Sequence, residues 1–216
     1  MTQPAGHSDH FIYHFTSIQN LPSILADRKL SCDTSVVERG VLKIEAGDRD
    51  IKEWRRRVTV PVHPYGCPAD YVPFYYAPRS PMMLKIKSGQ VPTYTGGQRP
   101  LIYFVSSARR VDDAGLTWVC ADGNCANSLT SFHADLDSLE QQIDWAVMEL
   151  RYWNDTADDP DRMRRRMAEF LVHQEVPLDV IAGIGTYDDA TADQVRDQFE
   201  QHGRATHVAT KREWYY

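Results

Sequence analysis

Strand and helix signals follow one another along this chain without the strict alternation that builds a doubly wound parallel sheet. Residues 11–15 and 101–105 are apolar and rich in aromatic or β-branched side chains, which predicts strands. Helices are predicted from the capping Thr16 to about Asp27, after the second strand as far as Gly115, and at 138–153 and 192–203. Further strands are predicted at 167–172, 180–187 and 205–210. The mixture predicts an α+β fold with one domain over residues 1–216.

The segments between these elements are less regular. Residues 33–57 carry many charges and predict a loop followed by a short helix at 51–57, and long ordered loops of this kind are often functional. Residues 60–83 are rich in proline and aromatic residues, which predicts turns and short extended pieces. An acidic loop at 154–161 changes abruptly into the basic run 162–166.

The overall charge argues against one class of nucleic-acid binder. A formal net charge of −6 does not suit a protein that coats nucleic acid by bulk electrostatics, although a local basic patch can still bind a strand. Residues 1–10 lack the charged-then-apolar pattern of a secretory signal, and no apolar run approaches the ~18 residues of a membrane span. We expect a soluble, cytoplasmic protein without a membrane partner.

Several common kinds of site are not supported by motifs. The run GIG at 183–185 lacks the further glycine of a dinucleotide-binding loop, and the sequence contains neither GxSxG nor HExxH. Cys32, Cys67, Cys120 and Cys125 are spaced too irregularly for a zinc ribbon. A zinc site from Cys120, Cys125 and His133 is a weak alternative, and no metal is expected.

One carboxylate lies inside an apolar run. Strand periodicity in MAEFLV (167–172) puts Glu169, Leu171 and His173 on one face and Ala168, Phe170 and Val172 on the other. An acid on a partly apolar wall is how an enzyme holds a catalytic carboxylate. The alternative is an edge-strand glutamate paired with one of the preceding arginines, because charged residues mostly lie at the surface.

Other candidate residues are scattered along the chain. His14 and Thr16 share a face of the first strand and can point into one cleft, although a buried structural histidine is the alternative. Arg55 is one of three consecutive arginines, which more often lie on a solvated helix face. The aromatic residues at 71–76 are equally typical of packing.

Taken together, these segments resemble the DarT family of DNA ADP-ribosyltransferase toxins. The matching strings are IYHFTSIQNLPSIL, DYVPFYYAPRSPMM, YTGGQRPLIYFVSS, GLTWVCADGN, the stretch from RYWNDTADDPDR to AEFLV, and the terminal WYY. The resemblance implies an ADP-ribosyltransferase fold and the use of NAD+ to attach ADP-ribose to thymine, at its ring imide nitrogen, in single-stranded DNA. It also implies a macrodomain antitoxin, DarG, as a partner.

The resemblance also implies roles for individual residues. Glu169 corresponds to the catalytic glutamate, and Arg55 to the catalytic arginine, which also contacts NAD+. The resemblance implies that the NAD+ site contains His14, Phe15, Thr16, Ser23 and Ser31. Residues 33–57 would close over NAD+, and residues 121–169 would hold the loop that recognises the substrate.

In this reading Glu169 stabilises the positive charge that develops on the ribose, and Arg55 acts as a cation beside the base. Single strands stack on aromatic rings and follow basic grooves. Candidate stacking platforms are Tyr75, Tyr76, Trp118 and Trp153. Candidate contacts to the DNA backbone are Arg79, Arg162, Arg164, Arg165 and Arg166. Guanine, RNA or protein as the acceptor, or an inactive NAD+- or nucleic-acid-binding relative, are the alternatives.

Overall fold

The computed structural model describes residues 10–216, which form an eight-stranded mixed sheet and a separate two-stranded sheet flanked by helices. Residues 1–9, which carry most of the segment inspected for a secretory signal, lie outside the described residues. The strands are β1 (Phe11–Ser17), β2 (Lys29–Ser31), β3 (Tyr71–Tyr75), β4 (Leu101–Ser107), β5 (Trp118–Ala121), β6 (Phe132–His133), β7 (Glu169–His173), β8 (Glu175–Pro177), β9 (Gly183–Thr186) and β10 (Val208–Thr210). The large sheet has the order β10-β9-β4-β1-β3-β7-β5-β6, and the α+β prediction is confirmed.

The α-helices of the described chain are short except for the last. They are α1 (Leu21–Asp27), α2 (Asp33–Arg39), α3 (Arg49–Arg55), α4 (Pro81–Lys87), α5 (Ala108–Asp113), α6 (Leu136–Gln142), α7 (Trp145–Glu149), α8 (Arg162–Arg166) and α9 (Asp189–Gln201). The predicted loop after residue 33 therefore begins with α2, and the helix predicted at 51–57 begins and ends two residues earlier.

The single helix predicted at 138–153 is wrong, because two helices occupy this region. The side chain of Asp144 accepts a hydrogen bond from the backbone N–H of Val147 and so caps the start of α7. A capping side chain inside an amphipathic stretch ends one helix and begins another, whatever the apolar spacing suggests. Trp153 consequently lies beyond any helix.

The centre of the sheet is buried on both faces. Ile102 and Phe104 of β4 pack into one apolar cluster, whereas Leu101 and Tyr103 pack into a second one on the opposite face. Alternate residues of a strand point to opposite faces, so a continuous apolar run indicates a strand covered on both sides. The prediction of a central strand at 101–105 is confirmed.

A proline opens the sheet between β1 and β3. In the part of the chain that the structure describes, these strands share one register pair, Tyr13 with Tyr75, whereas β3 pairs with β7 along its full length. The Pro73 carbonyl faces β1, since it accepts a hydrogen bond from His14 Nδ1 at 2.8 Å. The missing N–H of Pro73 is on that same side in an antiparallel strand, so proline removes ladder bonds to β1 and none to β7. The proline-rich block thus contains a central strand, β3, that diverges from β1 and remains fully paired with β7.

Candidate active site

A cavity of about 230 Å³ lies beside this opening in the sheet. Its walls come from β1, β3 and the first residue of β7, and residues 33–55 cover it. All residues that the sequence assigned to catalysis or to NAD+ lie on its walls: His14, Phe15, Thr16, Ser23, Ser31, Arg55 and Glu169. The fold therefore brings residues from four separate sequence segments to one place.

Glu169 and Arg55 form a buried ion pair at the wall of this cavity. Glu169 is 2% exposed and lies between Tyr75 of β3 and Ala121 of β5 in the sheet register. One terminal nitrogen of Arg55, Nη1, donates to both carboxylate oxygens at 2.8 and 2.7 Å. Burial opposes the charge on Arg55, but the Glu169 carboxylate outweighs it and raises the arginine pKa. The pair presents a fixed anion and a fixed cation to the cavity.

Two neutral groups surround the Glu169 carboxylate. Burial raises the pKa of the Cys125 thiol, and so do the Glu169 charge and a hydrogen bond to that carboxylate. Burial and the same charge also raise the pKa of Tyr75. Both groups thus remain protonated, which keeps the negative charge localised on Glu169. From the sequence, Cys125 is a candidate only for the alternative zinc site. The spacing between Cys125 and Glu169 gives no signal that the two residues are in contact.

His14 is a neutral hydrogen-bonding group. Burial lowers its pKa to about 4, more than the hydrogen bond to Pro73 raises it. A carbonyl oxygen only accepts hydrogen bonds, so Nδ1 carries the proton and the neutral ring keeps Nε2 as an acceptor. In the cavity His14 therefore offers an acceptor to a ligand N–H or O–H group.

Asn20 anchors the segment that covers the cavity, and sequence reasoning missed it. Its side-chain oxygen accepts hydrogen bonds from the backbone N–H groups of Lys43 and Ile44 at 3.0 and 2.9 Å. Its amide nitrogen donates to the Ile44 carbonyl at 2.8 Å and to Thr16 Oγ1 at 3.0 Å. The side chain is buried, and all its polar capacity is used between β1 and the covering segment. Asn20 is the last residue of the short 3-10 helix that joins β1 to α1. Many polar residues are compatible with such a position, so the sequence carries no distinctive signal for this role.

Ion pairs hold the same covering segment together. Lys52 of α3 bonds Asp33 at 2.5 Å and also contacts Glu45, and Arg56 contacts Asp33 as well. Ser23, predicted to line the NAD+ site, donates its hydroxyl hydrogen to the Asn20 carbonyl at 2.8 Å. The ion pairs thus join the beginning of the covering segment, at Asp33, to its last helix.

The predicted stacking platforms are corrected by the structure, with one exception. Tyr76, Trp118 and Trp153 are 5%, 5% and 4% exposed, so their rings are unavailable to a DNA base. Trp118 stacks on Phe170, and Trp153 donates its indole N–H to Tyr216 Oη at 3.2 Å. Tyr75 is half-buried and lines the cavity. The three buried rings pack the core, as aromatic residues in a run commonly do.

The predicted contacts between the basic run and DNA are also corrected. Arg164 bonds Asp161 and Asp122, and Arg165 contacts Asp144, Asp159 and Asp161. Arg162 bonds Asp159 at 3.0 Å.

Arg166 is buried, and burial lowers its pKa to about 10. It donates to the carbonyls of Val147 and Met148, and Arg79 lies over the Tyr216 ring at 4.2 Å. Each arginine of the run is thus held by aspartates or by backbone carbonyls of the described residues.

Two general features concern the described residues alone. Within residues 10–216, no group of three or more His, Cys, Asp or Glu side chains is arranged to hold a metal ion, although Cys120 lies opposite His133 between β5 and β6. Over the same range, no helix has both the length and the apolar character needed to cross a membrane.

Comparison with known proteins places the chain in a family. The model of the DarT family, described as ssDNA thymidine ADP-ribosyltransferase, matches residues 13–216. A DNA ADP-ribosyl transferase of Thermus sp. strain 2.9 is 37% identical over 207 residues, covering 95% of both chains.

Solved structures agree. Thermus sp. 2.9 DarT in complex with ADP-ribosylated ssDNA superposes with a TM-score of 0.90 at 35% identity, covering 100% of this chain and 99% of that one. The same DarT in complex with NAD+ gives a TM-score of 0.84 at 34% identity, with both chains fully covered. Fold and cavity together define an NAD-dependent DNA ADP-ribosyltransferase. The chain belongs to the DarT family.

Proposed function

We propose that this enzyme transfers ADP-ribose from NAD+ to a thymine base in single-stranded DNA, with Glu169 and Arg55 as its catalytic residues. The observation that carries the proposal is the buried Glu169–Arg55 ion pair on the wall of a cavity shared with His14 and Thr16. The relatives described with NAD+ and with ADP-ribosylated ssDNA support the two substrates.

Glu169 supplies the charge that the first step needs. Cleavage of the bond to nicotinamide leaves positive charge on the ribose, so a fixed carboxylate attracts the transition state more strongly than the ground state. The carboxylate is buried and fixed by the strand and by Arg55, and needs little reorganisation when that charge develops. A hydrogen bond from a ribose hydroxyl to Glu169 would align the sugar for attack.

His14 and Thr16 orient NAD+ in the cavity. The Nε2 acceptor of neutral His14 suits the carboxamide N–H of nicotinamide or a ribose hydroxyl. Thr16 Oγ1 already accepts from Asn20, so its own hydrogen remains available to a ligand oxygen. Both are positioning roles and require no change of protonation.

Arg55 acts as a cation toward the base and does not remove its proton. Its pKa is raised by Glu169, so proton abstraction by a neutral guanidine is excluded in practice. Nη1 is occupied by the carboxylate, and Nη2 donates one hydrogen bond to the Pro68 carbonyl at 3.4 Å. The N–H groups that remain can bind a thymine carbonyl oxygen and stabilise the anionic base. The imide proton passes to Glu169 or to water.

The acceptor must be unpaired to reach this pair. Glu169 is 2% exposed, so a base stacked inside a duplex cannot approach it, whereas a single-stranded or extruded nucleotide can. A cytoplasmic location, a single domain over residues 1–216 and control by a macrodomain antitoxin such as DarG complete the proposal.

The test offers the full chain NAD+ with four acceptors separately: oligothymidine-containing single-stranded DNA, its guanine-containing counterpart, RNA and cell protein. Mass spectrometry should find ADP-ribose attached to thymine in the first acceptor. Addition to guanine, RNA or protein alone would replace the acceptor in the proposal, and failure to modify any of the four despite NAD+ binding would refute it.

A further inference from the structure

We propose that the C-terminal end of α3 binds the DNA nucleotide next to the modified base, with the Trp54 ring as its stacking platform and Arg57 as a phosphate contact. This inference rests on the proposed function and adds a location for the strand. Sequence reasoning did not select either residue for DNA.

Trp54 has the exposed ring that the predicted platforms lack. It is 52% exposed, whereas Trp118 and Trp153 are 5% and 4% exposed. Its indole N–H donates to the Ala126 carbonyl at 3.2 Å, so the ring is held in one orientation while much of its surface faces solvent. An exposed aromatic ring that is already held in place is suited to stacking on a base, because little side-chain entropy is lost on binding.

The position of Trp54 relates directly to the catalytic pair. Arg55 is the next residue along α3, and Ala126 follows Cys125, whose thiol is hydrogen-bonded to Glu169. Trp54 thus links the helix that carries Arg55 to the segment whose Cys125 contacts Glu169. Arg55 lines the cavity from the same helix, so a strand whose base meets Arg55 would bring a neighbouring nucleotide close to the Trp54 ring.

Charge favours a nucleic-acid strand as the occupant. Arg57 is exposed and, among the described residues, makes no ion pair, whereas Arg56 is paired with Asp33. In α8, by contrast, Arg162, Arg164 and Arg165 are paired with aspartates, and Arg166 is buried against backbone carbonyls. An exposed aromatic ring with an unpaired cation three residues away matches the chemistry of single-strand binding, in which bases stack and phosphates meet cations. In a chain of net charge −6 such a free cation stands out locally.

The experiment measures steady-state transfer to a single-stranded oligonucleotide by the full chain and its Trp54→Ala, Trp54→Phe and Arg57→Gln variants. We expect Trp54→Ala to raise the KM for the oligonucleotide about 10- to 100-fold, and Trp54→Phe to restore most of the affinity. Arg57→Gln should lower the slope of log Kd against log salt by ~0.7. NAD+ affinity and thermal stability should stay at wild-type values in all three.

Matched controls come from the same chain. Phe11→Ala removes a ring that is 54% exposed at the far end of β1, and Lys87→Gln removes an exposed cation that makes no ion pair among the described residues. Neither should change the KM for the oligonucleotide. Oligonucleotides shortened on the 5′ or the 3′ side of the modified base add a direct test, because one of them should bind wild type and Trp54→Ala equally.

A wild-type KM for the oligonucleotide in Trp54→Ala would overturn the inference. So would equal losses with NAD+ and with DNA, or a loss of affinity for the purified antitoxin alone, which would make this surface a protein-binding site. The proposed function fails separately, if the wild-type chain binds NAD+ and modifies no oligonucleotide.

Discussion

Two arginine-rich runs of similar sequence have different fates in this structure. In Arg55–Arg57 the first arginine holds the Glu169 carboxylate, the second contacts Asp33 and the third is exposed without an ion pair among the described residues. In Arg162–Arg166 every arginine is bonded to an aspartate or to backbone carbonyls.

The difference lies in the partners and not in the runs themselves. Acidic residues from distant parts of the chain, among them Asp122 and Asp144, converge on α8. At the end of α3, Glu169 pairs with Arg55 and Asp33 with Arg56, and among the described residues no carboxylate pairs with Arg57. A run of like charge in a sequence therefore says nothing about whether the charge is available. We expect the first run to govern catalysis and DNA binding and the second to govern stability.

The largest effect is expected at Glu169, the carboxylate that pairs with Arg55 of the first run. Glu169→Gln keeps the shape and removes the charge that stabilises the ribose cation, so kcat should fall about 10³-fold. Transfer of ADP-ribose from labelled NAD+ to an oligonucleotide measures this, with NAD+ binding followed in parallel. Glu175→Gln, at the exposed first residue of β8, is the control and should be near wild type. Comparable activity in both variants would contradict the assignment of Glu169.

Within the first run, Arg55 and Arg57 should respond differently to lysine. Arg55→Lys keeps the charge and loses the fork that contacts the carboxylate and a base together, so kcat/KM should fall about 10²-fold. Arg57→Lys should remain within a factor of a few, since a phosphate accepts a point charge. The same transfer assay checks both, and near-full activity of Arg55→Lys would refute its geometric role.

In the second run the expected effect is on stability. Arg166→Met removes the buried guanidinium donor from the Met148 carbonyl and one of the two donors of the Val147 carbonyl, which should cost about 2–4 kcal/mol of the free energy of unfolding. Arg162→Gln, at a partly exposed pair, should change it by less than about 0.5 kcal/mol. Urea denaturation measures both.

The sequence predicts contacts between the DNA backbone and the arginines at 162–166, and such contacts imply that charge reversals there weaken DNA modification together with its salt dependence. The observed ion pairs change this prediction to a loss of stability. An unchanged salt slope for the Arg162→Gln variant would support the new reading, and a reduced slope would restore the older one.

The covering segment that ends in the first run can be loosened without touching an arginine. Asn20→Ala removes three hydrogen bonds to residues 43–44 and one to Thr16 of β1, so the cover should close less often and the KM for NAD+ should rise about tenfold. The kcat at saturating NAD+ should change less than KM. Gln19→Ala, an exposed neighbour, is the control, and a fall in kcat with constant KM would argue against the anchoring role.

The smallest effect concerns the pH dependence that the buried ring of His14 gives to stability. The folded pKa of His14 is about 4, below its ordinary 6.5, so the unfolded chain binds a proton that the folded chain does not. The stabilisation is complete above about pH 6.5 and is lost as pH falls toward 4. His14→Gln should therefore lose less stability than wild type, by about 1 kcal/mol at pH 5.5–6. Parallel pH profiles of the two proteins would show that His14 is not buried as a neutral base.

Elements with strong local signals were predictable. The apolar run of β4, the alternation around Glu169 in β7 and the capped helix α9 follow from periodicity and capping alone. The block around Pro73 was not recognised as a central strand, because its missing ladder bonds are compatible with a sheet only when the neighbouring strand diverges. The break in the helix predicted at 138–153 depends on Asp144, which serves equally well as a surface residue or a cap.

The sequence by itself determined which residue types stand at the candidate site, since the family's motifs carry His14, Thr16, Arg55 and Glu169. It also determined the α+β mixture, because periodicity and capping act over a few residues. Only the tertiary structure decided which arginines are free, which aromatic rings are exposed and that Asn20 anchors the cover. Those properties depend on contacts between residues distant in sequence, and a side chain's charge or ring is available only if no such partner reaches it first.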